Sequence, residues 1–144
     1  MARLQLKPLA EYAFRTEITV RTTDLNYGGH LGNDRLLSLV HEARVAWLAE
    51  HGWSELDCAG CGLIMGDAAL VYQGEAFAGQ QLLFEVAAAD QTRSGFRLFF
   101  RITRHSTDGD QDIALVENGM ICFDYNKRRI VPVPAAVAAV CVKS

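Results

Sequence analysis

Residues 21–48 read RTTDLNYGGHLGNDRLLSLVHEARVAWL, and the reading of this stretch decides the fold. It begins with a turn that holds Asp24, Asn26, Gly28, Gly29, His30, Gly32 and Asn33. That is a far higher density of polar side chains and glycines than a change of chain direction needs. From Asn33 onward Leu36, Val40, Ala43 and Trp47 recur at helical spacing, and Leu37 and Leu48 widen the same stripe. Ser38, Glu42, Arg44 and Glu50 fall largely outside it. The pattern predicts a helix with Asn33 as N-cap, Asp34 in a first turn where the helix dipole favours a carboxylate, and Gly52 closing the far end. Such a helix is about 27 Å long, enough to cross a small sheet. Its N-terminus presents backbone N–H groups that can hold an anion or polarise a carbonyl oxygen, so chemistry is expected there.

The flanking sequence supplies the sheet. Tyr12, Phe14, Thr16, Ile18 and Val20 alternate with Ala13, Arg15, Glu17, Thr19 and Arg21, the period of a strand with one buried face. After the helix and a small-residue loop over 54–62, Leu63 to Tyr72 forms a second strand that Asp67 interrupts. GEAFAG turns the chain, Leu82, Phe84, Val86 and Ala88 alternate in a third strand, and Phe96, Leu98, Phe100 and Ile102 share one face of a fourth. Arg97 and Arg101 face the other way, Asp108–Gly109 marks another hairpin, and Ile113 to Tyr125 completes five strands. The VPVP segment then leads into a short alanine and valine tail with the composition of a last helical turn or two. One strand, one long helix and four hairpin-linked strands make an α+β domain in which an antiparallel five-stranded sheet wraps one central helix. The face bearing Arg97, Phe99 and Arg101, and the sheet edges, are left for a partner subunit.

Composition narrows the functional classes. At 144 residues, 50% hydrophobic and with only 3 prolines, the chain fits a single domain over 1–144. A net charge of −3 with interspersed signs and no basic stripe argues against nucleic acid as a partner. No stretch is long enough to cross a bilayer and no apolar leader opens the chain, so a cytoplasmic protein without a membrane partner is expected. Cys58 and Cys61 form a CxxC, but no second pair completes a metal site, and the four cysteines read as reduced structural thiols.

At this point the residues carry a family likeness. RTTDLNYGGHLGN followed by LLSLVHEARVAWL, together with Tyr72 and the closing FDYNKRRIVPVP, resembles the hot-dog fold acyl thioesterases of the 4-hydroxybenzoyl-CoA thioesterase branch and the bacterial long-chain acyl-CoA thioesterases. The turn is also similar to the DxDxNxHVNN segment of plant acyl-ACP thioesterases, with His30 to Asn33 matching HVNN. The resemblance implies an acyl-CoA or acyl-ACP thioester hydrolase without a cofactor. It also implies subunits that pair, as a homodimer or a homotetramer of two such dimers, to build active sites at their interface. Where many members carry a catalytic aspartate this chain has Asn26, and Gly28 replaces the asparagine of the acyl-ACP enzymes. An amide cannot act as a carboxylate base, so Asn26 is expected to orient water or the carbonyl while another group takes the proton.

The candidates for that base are His30, Glu42, Asp24, His41 and Asp67. Glu42 stands out because other hot-dog thioesterases place a carboxylate on the central helix, and His30 because a free imidazole titrates near neutrality. Backbone N–H groups near Gly32 and Asn33 are the expected oxyanion donors, and Lys127, Arg128 and Arg129 the expected contacts to the CoA phosphates. Two other functions compete. DLNYGGH looks like the DxNPxH segment of hot-dog (R)-specific enoyl-CoA hydratases, in which Asp24 and His30 would activate water together. The missing carboxylate at Asn26 instead suits a non-catalytic acyl-CoA binding domain.

Overall fold

The alternation of apolar residues puts Leu82, Phe84, Val86, Phe96, Leu98, Phe100 and Ile102 on one sheet face, and that face becomes the floor of the core. The structure, a computed structural model, describes residues 2–142. Strands β1 (Phe14–Thr19), β2 (Gly62–Tyr72), β3 (Gln81–Ala89), β4 (Gly95–Arg104) and β5 (Gln111–Asp124) are joined by a short β6 (Arg129–Ile130). The 6-stranded sheet runs in the order β1-β3-β4-β5-β2, with β6 on β5, and every strand pairing is antiparallel. Helix α1 (Asn33–Glu50) lies against the inner face and buries Leu36, Leu39, Val40, Ala43, Trp47 and Leu48. Phe84, Phe96 and Phe100 are sealed beneath it. Each such side chain contributes about 1.5–3 kcal/mol by leaving water. A short helix α2 (Ala135–Val140) closes one end through Val137. This is the hot-dog arrangement.

Several details depart from the sequence reading. The sheet has a sixth strand, because Arg129 and Ile130 pair with Asp124 and Phe123 across a turn in which Arg128 adopts φ 57°. The cap of α1 is Gly32, not Asn33: its carbonyl accepts the Arg35 and Leu36 N–H groups while its own backbone stays extended, and Asn33 is the first helical residue. At the other end Gly52 takes φ 77°, and the Trp53 N–H closes on the Leu48 carbonyl, the geometry glycine permits just past a helix. Leu37 is only half-buried, and Leu39 takes its place in the core.

The largest departure is Arg44, assigned above to the outer side of the helix but only 6% exposed. Its guanidinium donates to Glu55 in the loop after α1 at 2.8 Å and to the buried amide oxygen of Asn118 on β5 at 2.8 Å. Two long-range partners hold a charge that helical periodicity places in solvent.

The outer sheet face also differs from expectation. Arg97 is bound to Asp67 and Glu117, Arg101 to Glu85 with the Tyr12 ring beneath it, and Phe99 between them is 8% exposed. Its charges are therefore already paired within the chain. Among the described residues β1 and β2 are the two edge strands, each paired on one side, and β2 leaves Met65 37% and Tyr72 47% exposed.

Candidate active site

The turn before α1 is a small closed loop fixed by its own polar groups. Asp24 is 1% exposed; its carboxylate accepts the Arg21 N–H at 2.8 Å and the Arg21 guanidinium at 3.0 and 3.1 Å. The hydrogen-bonded guanidinium holds this carboxyl below the usual carboxylate range. The Asp24 carbonyl in turn receives the Gly32 N–H at 3.0 Å, and the Asn26 N–H reaches the His30 carbonyl at 2.8 Å. Inside the loop the Asn26 side-chain oxygen accepts the Gly28 and His30 N–H groups at 2.9 and 3.4 Å. Gly29 takes φ 83°, which favours glycine. The Asn26 oxygen is thus committed to the turn, and its NH2 group is the part left to meet a ligand.

A cavity of about 320 Å³ opens where this turn meets the helix, lined by His30, Leu31, Gly32, Asn33, Leu36, Tyr72, Gln73, Gly74, Glu75 and Ile113. Of the two expected oxyanion donors, the Gly32 N–H is taken by Asp24. The Asn33 and Asp34 N–H groups have no acceptor among the described residues. Tyr72 donates its hydroxyl to the Asn33 carbonyl at 2.9 Å and so pins the end of β2 to the first helical residue. The His30 ring is 30% exposed. Its Nδ1 lies 3.2 Å from the Leu31 carbonyl, a contact that places the ring proton on Nδ1 and leaves the Nε2 lone pair free.

One wall residue, Glu75, was read from the sequence only as part of a turn. Its Oε1 lies 3.9 Å from His30 Nε2. The backbone arranges this: the Leu31 N–H donates to the Ala76 carbonyl at 2.7 Å, and the Gln73 and Gly74 N–H groups both reach the Ile113 carbonyl. Gly74 is required for that approach, since a Cβ there would stand 2.5 Å from the Asp112 carbonyl oxygen. Gly74→Ala is expected to cost about 1–3 kcal/mol by overpacking. It should also lower turnover by moving the 73–77 segment; thermal unfolding and a rate assay check both effects.

The other candidates lie elsewhere. Glu42 is exposed on α1, about 13 Å along the helix axis from Asn33. Asp24 is sequestered by Arg21. His41 sits beside Glu55, and Asp67 is bound to Arg97 on the outer sheet face, which lowers its carboxyl below the usual range. Lys127, Arg128 and Arg129 follow the Phe123 end of β5, which pairs with Gly62, whereas the cavity lies at the Tyr72 end of β2. Nine ladder steps separate the two ends, roughly 30 Å within one chain. The four cysteines are free, and burial pushes the Cys58 and Cys122 thiols up to about 12. No helix among the described residues is long and apolar enough to cross a membrane.

Comparison with solved structures confirms the fold. A 1,4-dihydroxy-2-naphthoyl-CoA thioesterase from Synechocystis superposes with a TM-score of 0.74 at 21% identity, covering 84% of this chain and 89% of that one. The 4-hydroxybenzoyl-CoA thioesterase of Pseudomonas sp. strain CBS-3 gives 0.78 at 14% identity over 91% and 100%. An Asp-to-Asn variant of a 4-hydroxybenzoyl-CoA thioesterase, complexed with 4-hydroxybenzoyl-CoA, gives 0.79 at 15% identity over 90% and 98%. No curated protein matches the chain. A family model described as the thioesterase-like superfamily matches residues 20–141, nearly the whole chain, and this match, with the helix and sheet described above, settles the kinship: the chain belongs to the thioesterase-like superfamily of hot-dog thioester hydrolases.

Proposed function

We infer that this chain hydrolyses an acyl-CoA or acyl-ACP thioester in the cavity at the N-terminus of α1. The observation that carries the reading is the meeting there of the unpartnered Asn33 N–H group, with that of Asp34 next along the same helical turn, and the free Nε2 of His30. The thioester carbonyl oxygen binds at the helix start, where two amides and the dipole stabilise the oxyanion as it forms. The Asn26 NH2 group holds the attacking water by its oxygen. His30 Nε2 removes a water proton as the new C–O bond forms, then delivers it to sulfur as the C–S bond breaks.

The CoA-binding role of Lys127, Arg128 and Arg129 requires a second copy. The free edge of β2 invites antiparallel pairing with the same strand of a partner, which sets the Gly62 end of one protomer beside the Tyr72 end of the other. A homodimer of this kind brings the partner's basic cluster toward the cavity. The triple replacement of Lys127, Arg128 and Arg129 by Ala is expected to raise KM by at least about tenfold with kcat little changed. Mixed dimers of that variant with His30→Ala should regain activity, since one of their two sites keeps both native parts. No recovery on mixing would place the cluster and the base in the same protomer's site, or the cluster in none.

The burial of Asp24 under Arg21 weighs against the hydratase reading, which needs that carboxylate in contact with water. Thiol release from short, long and aromatic acyl-CoAs, read beside enoyl-CoA absorbance, tests the assignment. Thiol release supports hydrolysis, loss of enoyl absorbance without thiol supports hydration, and acyl-CoA binding without either change supports the non-catalytic reading.

A further inference from the structure

We propose that Glu75 is the positioning carboxylate of this site, acting through His30 in place of the aspartate that the chain lacks at position 26. This rests on the thioesterase reading and names the partner of its base. Two acceptors face each other across the cavity: the lone pair of His30 Nε2 and the carboxylate of Glu75, 3.9 Å apart. With no proton between them the pair is unsatisfied. When His30 takes a proton from the attacking water, the imidazolium gains the attraction of a carboxylate 3.9 Å from Nε2 at the step where positive charge appears.

The approach is built into the backbone. The Leu31 N–H to Ala76 carbonyl bond joins the residue after His30 to the residue after Glu75, so the two side chains start from adjacent points. Gly74 lets that segment lie against β5, and Phe77 donates its N–H to the Gln80 side chain at 2.9 Å to hold the far side. Glu75 is also the only carboxylate lining the cavity among the described residues. Asp34 on the first helical turn and Asp24 in the turn do not line it, the latter being spent on Arg21.

The proton balance closes without a further reactant. A water O–H bond breaks as its oxygen bonds to the thioester carbon, and Nε2 carries the proton while the Glu75 carboxylate stabilises the charged ring. The C–S bond then breaks, the thiolate takes the proton from Nε2, and the pair returns to its starting state.

The test uses the full chain and whichever acyl-CoA the native protein cleaves fastest. Glu75→Gln is expected to lower kcat by about 10-fold, far less than loss of a buried triad aspartate would, because this carboxylate is 64% exposed. KM should stay within about twofold, because the pair acts only as charge develops. The melting temperature should not move. Glu75→Asp should recover part of the loss. In a His30→Ala background Glu75→Gln should cost nothing more, and in an Asn26→Asp background it should cost little, since a carboxylate is then supplied from the turn. A kcat for Glu75→Gln near the native value, a loss of equal size without His30, or a change confined to KM overturns the proposal. A native protein that releases no thiol overturns the thioesterase reading and this proposal together, whereas a native protein that turns over but ignores Glu75→Gln overturns this proposal alone.

Discussion

Replacing His30 with Ala is expected to lower kcat by about 10²–10⁴-fold, the usual contribution of a positioned acid–base group, with a much smaller change in KM. The size follows from the cavity's composition. The Asn26 amide has no basic lone pair at neutral pH and its oxygen is held by the Gly28 and His30 N–H groups, so it can orient water but not deprotonate it. Asp24 lies under Arg21 and Glu42 stands about two and a half helical turns away. His30 is left as the residue whose free ring nitrogen faces the place where water must sit. The variant should fold, because the turn is fastened by main-chain bonds at Asp24, Asn26 and Leu31 and not by the imidazole. Steady-state thiol release with matched circular dichroism measures it; native turnover in a folded His30→Ala protein would remove the residue from the mechanism.

Arg44→Ala is expected to destabilise the fold by about 2–4 kcal/mol. The guanidinium is nearly sealed from water between Glu55, Asn118 and the Met65 sulfur. Removing it strands the side-chain oxygen of Asn118, a residue with 0% exposure whose Nδ2 already lacks a partner. It also frees Glu55, which the same guanidinium ties to the helix along with His41. Arg44→Met, which keeps volume and the stem's packing but no charge, should lose less than Ala yet still expose the cost of the orphaned amide. Urea unfolding at fixed protein concentration reads both; an Ala variant within about 0.5 kcal/mol of native would mean the network is solvated and contributes little.

Most of the architecture was legible because it repeats. The helical stripe from Leu36 to Trp47 and the alternation from Phe96 to Ile102 each state which face is buried, and hairpin glycines state the connections. What could not be read lies in contacts without a period. Arg44 is drawn inward by partners 11 and 74 residues away, and no local pattern records them. β6 has two residues, too few to alternate. Asn33 has the chemistry of a cap, but the Gly32 carbonyl reaches the helix ladder first.

The candidate site divides in the same way. The polar turn was visible as a cluster, while Glu75 was hidden in a segment whose glycines read as a bend. Its place beside His30 depends on the Leu31–Ala76 bond. The distance of Lys127, Arg128 and Arg129 from the turn is set by the β2–β5 register, which composition does not contain.

The claim that stands or falls first is that the native chain, with Asn26 in the turn, is a working hydrolase and not a degenerate one. Thiol release by the native protein and by Asn26→Asp, assayed side by side on the same acyl-CoAs, measures it. Asp can accept the same two turn N–H bonds, so the comparison is made on one fold. The expected result is native turnover within about tenfold of the variant, because His30 already supplies the base. A silent native protein beside an active Asn26→Asp variant would contradict it and leave a binding domain with a dormant site.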